Sequence, residues 1–450
     1  MKIRKLKRAK IRKNKAPEPS PRIRILLDQA SSCIKYGRLG QAEELCREIV
    51  KLSPRTSEAY NILGIIYQER GLIDDAISAL HKAVELDSSN ADAFFNLGNV
   101  LGQREQYEQA VISLRKGLAL APRTAEARNN LGLALAKLGK MNKAINSLEK
   151  ATKLDPHYGD AWLSLGDAYC CQGQLQKAVD VYQRCIRIIP DFVEAYYNLS
   201  VAQHDLKLLP DAIESLQRTI ELDPEHTAAR HMLAALSGET PDNTPQQFVT
   251  NLFDQYSNSF ETDLINRLEY RIPTQLRKLF SEYVPVGTRL SKVIDLGCGT
   301  GLSGQAFHDI ADYLAGIDIS KNMLEHAKGK EIYDALHVGD LCEQLQQFPD
   351  LFDLFIAADV MIYIGNLKPL CSTVSSKTSP GGYFAFSVES QQHNDFTLQP
   401  TGRYAHATAY ISRLAVAYGF TVIAQKQVGI RKEGDTWIPG EIYILQKNKA

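Results

Sequence analysis

Long hydrophobic runs, patterned cysteines and a surplus of either charge are all missing from this 450-residue chain. No apolar stretch approaches the roughly 18–20 residues that cross a bilayer, so no membrane span is expected. Basic and acidic residues number 52 each, and zero net charge excludes a molecule built as a whole to bind polyanions. The eight cysteines follow no framework. Cys170 and Cys171 are adjacent, unlike zinc or redox pairs, so a reducing, cytoplasmic setting without disulfides is expected. No Cys/His cluster suggests a metal. The opening Met1-Lys2-Ile3-Arg4-Lys5-Leu6-Lys7-Arg8 is basic but leads into no apolar segment, so it is not read as a secretory signal.

A chain of this length suggests two or three domains. Residues 1–19 read as a solvated basic tail, since like charges repel and no aromatic is interleaved to stack on bases. A strict period follows. Gly64, Gly98, Gly132 and Gly166 recur every 34 residues, as do Ala42, Ala76, Ala110, Ala144, Ala178 and Ala212. Pro54, Ser88, Pro122, Pro156, Pro190 and Pro224 form a third column. The Gly and Ala columns put small residues where two helices approach, and the Pro column ends the second helix. This pattern resembles the tetratricopeptide repeat, a 34-residue helix–turn–helix unit. Six units cover about Ser20 to Asp223, and Glu225–Leu236 reads as a capping helix. Such solenoids usually bind partners on their concave face. Asn96, Asn130 and Asn198, two before the repeat Gly or Ser, offer amides to an extended peptide. The plainer reading is local capping on a solvated face.

Past a Pro/Asn/Thr-rich linker the grammar changes to strands alternating with helices, which argues for a mainly parallel sheet. The strands are expected at Lys292–Leu296, Tyr313–Ile317, Ala335–Val338, Leu354–Ala357 and Tyr383–Val388. Phe420–Val428 and Glu441–Leu445 would pair as an antiparallel hairpin around Arg431–Gly440. The loop Asp295-Leu296-Gly297-Cys298-Gly299-Thr300-Gly301 lies where the first strand meets a helix, and its glycines let backbone approach a ligand. Its leading carboxylate would repel a pyrophosphate but suits a ligand carrying an ammonium and a sulfonium. Asp318 ends the next strand, where a carboxylate can accept from ribose hydroxyls. Asp340 ends the third, where it can accept from an adenine amino group. Taken singly, Asp318 and Asp340 also read as helix caps.

From about Phe253 onward the chain resembles the class I S-adenosylmethionine-dependent methyltransferases, and more narrowly a group of predicted methyltransferases with tetratricopeptide repeats. The resemblance implies an all-α solenoid followed by a Rossmann-like α/β domain, with S-adenosylmethionine as cofactor. It assigns Asp295, Gly297, Cys298, Gly299 and Gly301 to the first motif, Asp318 and Ile319 to the ribose, and Asp340 and Leu341 to the adenine. It also gives Met323 to adenine packing and Asp359 to the fourth-strand position facing cofactor and substrate. Gly365-Asn366-Leu367 departs from the Gly-Asp-Leu of that group.

Methyl transfer needs a base when the acceptor is a hydroxyl or an acidic carbon. His406 and Glu389 are the candidate bases. Arg271 or Arg403 would anchor an acidic acceptor, with Tyr256, Tyr270, Tyr363 and Tyr404 around it. His406 and Arg403 are expected where the next helix opens. Nucleic acid is a poor guess for the acceptor, because neither Pro-Pro-Tyr after Asp359 nor a Pro-Cys pair is present. The expected organisation is a tail over 1–19, repeats with their capping helix over 20–237, a linker over 238–247, a helical cap over 248–285 and the α/β core over 286–450. The expected activity is methylation of a small or lipid-like acceptor, with the repeats docking a protein or peptide. The alternatives are a protein methyltransferase using the repeat groove for capture and a non-catalytic scaffold.

Overall fold

The computed structural model describes residues 20–285, 287–434 and 436–449. Within them the side chains of 255–259, 262, 263 and 266 are not described, and the expected basic tail lies outside the described residues. The chain divides into two compact units, up to Ser215 and from Leu216.

The first unit is helical throughout. Paired helices run as α1 (Pro21–Lys35) with α2 (Leu39–Leu52), α3 (Ser57–Glu69) with α4 (Ile73–Leu86), and α5 (Ala91–Gln103) with α6 (Tyr107–Leu120). They continue as α7 (Ala125–Lys137) with α8 (Met141–Leu154), α9 (Gly159–Cys171) with α10 (Leu175–Ile188), then α11 (Val193–Asp205) and α12 (Leu209–Leu222). The 34-residue period is a packing rule made visible. A Cβ on Gly64 would run into Leu80 Cγ, one on Gly98 would meet Leu114 Cγ at 2.5 Å, and one on Gly132 would meet Leu148 Cγ at 2.5 Å. At Gly166 the facing residue is the ring of Tyr182, whose hydroxyl donates to Asp167 Oδ1 at 2.7 Å. All six alanines of the Ala column are fully buried.

The second unit begins its own packing with α13 (Thr227–Ser237). This helix, expected as the cap of the repeats, sets Ala235 against Leu398 and Tyr404 and His231 Nε2 on the Gly402 carbonyl at 2.8 Å. After α14 (Gln246–Asn266) and α15 (Ile272–Tyr283) come β1 (Val293–Leu296), α16 (Leu302–Phe307), β2 (Leu314–Asp318), α17 (Lys321–Lys328) and β3 (Ala335–Val338). Next are α18 (Leu341–Gln347), β4 (Phe352–Ala357), α19 (Lys368–Lys377) and the long β5 (Thr378–Gln391). The chain closes with β6 (Phe396–Leu398), β7 (Tyr404–Ala407), α20 (Thr408–Ala417), β8 (Phe420–Glu433) and β9 (Thr436–Lys447).

The sheet runs β3-β2-β1-β4-β5-β7-β6, with β9 beside β5 and β8 beside β9. β1 pairs β2 and β4 in parallel, β2 pairs β3 and β4 pairs β5 in parallel, and β9 is antiparallel to β5 and β8. Every residue of β1 is buried, as a parallel strand covered on both faces requires. Two apolar cores lie on opposite faces, one around Phe355, Phe386 and Tyr443, the other around Leu276, Phe280 and Ile442. The hairpin at the C-terminus is longer than the sequence suggests, since Arg431–Glu433 and Thr436–Gly440 belong to the strands rather than the turn. Residues Tyr404–Ala407, expected to open a helix, form β7, and the helix starts at Thr408.

Gly98→Ala tests the packing rule. Alanine gains about 1 kcal/mol of helix propensity over glycine, but overpacking costs about 1–3 kcal/mol. The added methyl would also lie 3.3 Å from the Ala110 carbonyl oxygen, so relief by the Leu114 side chain alone is limited. A lower melting temperature of the full chain is expected, and an equal or higher one contradicts the assignment.

Candidate active site

Parallel strands bring their carboxyl ends to one edge of the sheet, and ligands of open α/β sheets sit there. In this unit that edge borders a cavity of about 520 Å³, within the range of small-molecule sites. Gly299 and Thr300 from the loop after β1, Asp318 and Ile319 from β2, and Gly339, Asp340 and Leu341 from β3 line one part of it. Gly297 and Cys298 line it too. Gly299 has φ +52°, a region that favours glycine, and a Cβ there would meet nothing within 4 Å. Backbone therefore faces open space. Asp318 ties loop to strand, accepting from Gly299 N–H and from Ser320 N–H, each at 2.8 Å. Burial raises its pKa, and those N–H donors pull it back. Asp340 caps α18 through Cys342 N–H at 2.9 Å and Glu343 N–H at 3.1 Å. Its other oxygen accepts from Gln246 Nε2 at 2.9 Å. The Thr300 hydroxyl is buried without a partner.

Three expected members of this set stand elsewhere. Asp295 is fully buried and is not among the cavity-lining residues. Its carboxylate accepts from the Tyr333 hydroxyl at 2.7 Å, beneath the loop. Burial pushes its pKa up to about 7, against the pull of Tyr333. Glycines at 301, 304 and 316 leave room for the Tyr333 ring, so part of the motif serves this contact and not a ligand. Gly301 accordingly does not line the cavity. Met323 is also fully buried, on α17, and Ile319, not Met323, lines the cavity.

The opposite end of the cavity is built from β4, β5 and β8. Asp359 follows β4 at φ +60°, with its N–H given to Ser387 Oγ at 2.8 Å. Arg431 Nη1 donates to both Asp359 oxygens at 3.0 and 2.9 Å, and its Nη2 donates to Glu389. The register of β8 against β9 slips between Gly429 and Lys432, and such a bulge re-aims a side chain. That slip delivers Arg431 to the cavity, which it lines. Desolvation opposes its charge, but the two carboxylates win and raise its pKa. Sequence reading missed Arg431 because it places that residue in a hairpin turn. Its one signal is a cation among strand-forming residues.

Tyr270, Tyr363 and Arg403 line the cavity. Arg403 Nη1 donates to Glu433. Both side chains are partly exposed, at 29% and 38%, so the pair contributes under about 1 kcal/mol. Glu389, His406, Tyr404 and Arg271 do not line the cavity. Glu389 lies buried behind Arg431, its pKa raised by desolvation and lowered in part by the guanidinium. His406 is fully buried in β7 and donates from Nε2 to the carbonyls of Ile364 and Gly365 at 2.9 and 3.1 Å. Burial lowers its pKa to about 4. It is a neutral strut, since its donating nitrogen is spent on backbone. Tyr404 is buried with its hydroxyl on the Pro241 carbonyl at 2.8 Å. Arg271 is exposed at the start of α15. The side chain of Tyr256 lies outside the described residues.

Helix α14 roofs the cavity with Val249, Phe253, Phe260 and Leu264. The segment expected as a linker is part of the wall. Thr244 N–H donates to the Tyr363 carbonyl at 3.2 Å and Asn366 N–H to the Asp242 carbonyl at 2.7 Å. Asn243 and Thr244 line the cavity, and the Thr244 hydroxyl is buried without a partner. No group of metal-ligating residues occurs among the described residues, and none of their helices is long and apolar enough to cross a membrane. In the first unit each ladder asparagine spends an amide hydrogen on a neighbouring repeat. Asn96 donates to Asn61 at 2.9 Å, Asn130 to Asn99 at 3.0 Å and Asn198 to Asp167 at 3.4 Å.

Removing Arg431 leaves two buried carboxylates without their cation. Arg431→Met is expected to destabilise the fold by about 3–5 kcal/mol at neutral pH. Glu389, whose pKa burial already raises, loses the guanidinium that draws it down and titrates further above its unfolded value, so the deficit shrinks as pH falls and grows as pH rises; denaturant unfolding at two pH values checks this. His406 has the opposite sign. Its folded pKa lies below the unfolded value of about 6.5, so its contribution is complete above that pH and is lost as pH falls toward 4. His406→Gln is expected to flatten the melting-temperature profile in that window. His231, also lowered by burial, titrates in both proteins and cancels in the comparison.

Residues 294–386 match the family model of a methyltransferase domain. Tetratricopeptide-repeat models match 64–104, 98–139 and 166–207, and also 125–158, 147–180 and 193–226. The bovine (Bos taurus) 18S rRNA (guanine-N(7))-methyltransferase is 38% identical over 74 residues, 16% of this chain and 26% of its own. The malonyl-[acyl-carrier protein] O-methyltransferase of Buchnera aphidicola is 30% identical over 96 residues, 21% of this chain and 38% of its own. The chain thus spans well under half the length of these relatives. Among solved structures, the tetratricopeptide-repeat protein YrrB is 25% identical over 41% of this chain and 96% of its own, with a TM-score of 0.36. The chain combines tetratricopeptide repeats with a methyltransferase domain, consistent with the tetratricopeptide-repeat-containing class I methyltransferases.

Proposed function

We propose that this chain is an S-adenosylmethionine-dependent methyltransferase acting on a small or lipid-like acceptor, with the repeats holding a protein or peptide partner. The observation that carries the reading is the convergence of Gly299, Asp318 and Asp340 on one cavity that Asp359 and Tyr363 close at its far end. The residues fit the cofactor. The Thr300 hydroxyl lacks a partner, and the backbone at Gly299 faces open space. Asp318 would accept from the ribose hydroxyls, the free lone pairs of Asp340 from the adenine amino group, and Ile319 and Leu341 would pack on the base. When bound, the cofactor supplies a methyl group already activated on a sulfonium.

The chain's own task is then to hold an acceptor in line and keep water out. The apolar roof of α14 excludes water, and Tyr270, Tyr363 and Arg403 would orient the acceptor. A largely apolar pocket of about 520 Å³ suits a compact acceptor better than a folded polypeptide. The half-buried Asn96 and Asn198 keep acceptor oxygens for a partner peptide, whereas the Asn130 oxygen already accepts from Asn129 Nδ2 at 3.5 Å.

Calorimetry with S-adenosylhomocysteine tests the donor site. Wild-type protein is expected to bind it, and Asp318→Ala, verified as folded by circular dichroism, to bind at least about tenfold more weakly, the loss of roughly 1.4 kcal/mol for a charged hydrogen bond. Equal affinity in the folded variant contradicts the assignment.

A further inference from the structure

The acceptor end of the cavity holds charge but, among the described residues that line it, no group free to take up a proton. Asp359 has both oxygens on Arg431. Asp318 and Asp340 sit at the opposite end on backbone N–H groups. Burial pushes the phenols of Tyr270 and Tyr363 and the thiols of Cys298 and Cys342 upward, so all four remain protonated. Glu389 and His406 lie off the cavity, on Arg431 and on backbone carbonyls. An alcohol, a thiol, an ammonium or an acidic carbon must give up a proton to take a methyl group. A carboxylate already carries its nucleophilic electron pair.

We infer that the acceptor is a carboxylic acid with an apolar body, held as its carboxylate at Arg403 and converted there to a methyl ester. The inference rests on the donor reading above. A carboxylate oxygen forms the new C–O bond while the C–S bond breaks and its electron pair stays on sulfur. The anion and the sulfonium become a neutral ester and a neutral thioether, and no proton moves. Arg403 is the cation able to accept the ligand. Arg431 is nearly fully buried with both terminal nitrogens on carboxylates, and separating that cluster is costly. Arg403 shares a single nitrogen with a partly exposed Glu433, and its planar fork has donors left for a second carboxylate. Tyr363 stands beside it, close enough for the arginine charge to draw its pKa down against burial. Val249, Phe253, Phe260 and Leu264 provide the apolar surface for the rest of the acid. Esterification removes the charge that Arg403 holds, which favours release of product.

The test uses the full chain saturated with S-adenosylhomocysteine, titrated calorimetrically with octanoate, octanol and octylamine. Octanoate is expected to bind, the other two to bind at least tenfold more weakly, and Arg403→Gln to weaken octanoate at least tenfold. Arg403→Lys should recover part of the loss, and the affinity for S-adenosylhomocysteine should stay within about twofold in both variants. No octanoate binding, equal binding of octanol, or unchanged octanoate binding in Arg403→Gln overturns the carboxylate inference and leaves the donor reading standing. Absence of S-adenosylhomocysteine binding in wild-type protein overturns the donor reading and the inference with it.

Discussion

A guanidinium in a protein interior must be met by carboxylates, and meeting Arg431 organises the end of the sheet on which the cavity is built. Its two partners come from different strands, Asp359 after β4 and Glu389 on β5, while Arg431 itself arrives from a bulge in β8. A single side chain thus fixes three strand ends against one another. The same requirement explains the backbone at Asp359. A non-glycine residue at φ +60° is strained, and the bidentate contact to Arg431 together with the Ser387 hydrogen bond over-determines that position. Breaking such a cluster costs far more than a surface ion pair contributes, so the far wall of the cavity is rigid.

Rigidity at that wall contrasts with the rest of the site. Near β1, β2 and β3 the wall is backbone and carboxylate, arranged to take hydroxyl and amino donors. The roof is a helix of apolar side chains, touching the strand ends through a few polar contacts such as Gln246 on Asp340 and Asp254 on Ser320. The connecting segment before α14 is hydrogen-bonded to the turn that carries Tyr363. The segment leading into the methyltransferase domain is therefore a structural part of its cavity rather than a tether. Arg403, between the rigid floor and solvent, has the one exchangeable ion pair at the acceptor end among the described residues that line the cavity.

Periodicity made the repeats legible, because the close approach that admits only glycine at 98 recurs at 64, 132 and 166 and leaves columns of small residues. The strand-end acids were legible for a similar reason, since Asp318 closes one short apolar run and Asp340 follows another, and both runs form strands. For Asp340 the plain reading is compatible with a site, as it caps α18 with one oxygen and turns the other to Gln246, whereas α17 is capped by Ser320 and not by Asp318. Residues whose role depends on distant pairing were not legible. Arg431 and Glu389 are 42 residues apart, and no local pattern announces a bulge. His406 looked like a base because its segment read as the start of a helix, whereas as part of β7 it points to backbone carbonyls. Asp295 looked like a ligand-facing charge, but the carboxylate is claimed by Tyr333, a residue with no motif of its own.

The measurement that bears most directly on the central claim, a cofactor site formed by the first three strand ends, is a crystal structure of the chain with S-adenosylhomocysteine. The account predicts ribose hydroxyls within hydrogen-bond distance of Asp318, the adenine between Ile319 and Leu341 with its amino group toward Asp340, and the sulfur directed at the Asp359 end. Ligand bound away from these residues, or an adenine edge that leaves Asp318 and Asp340 unchanged, would contradict it.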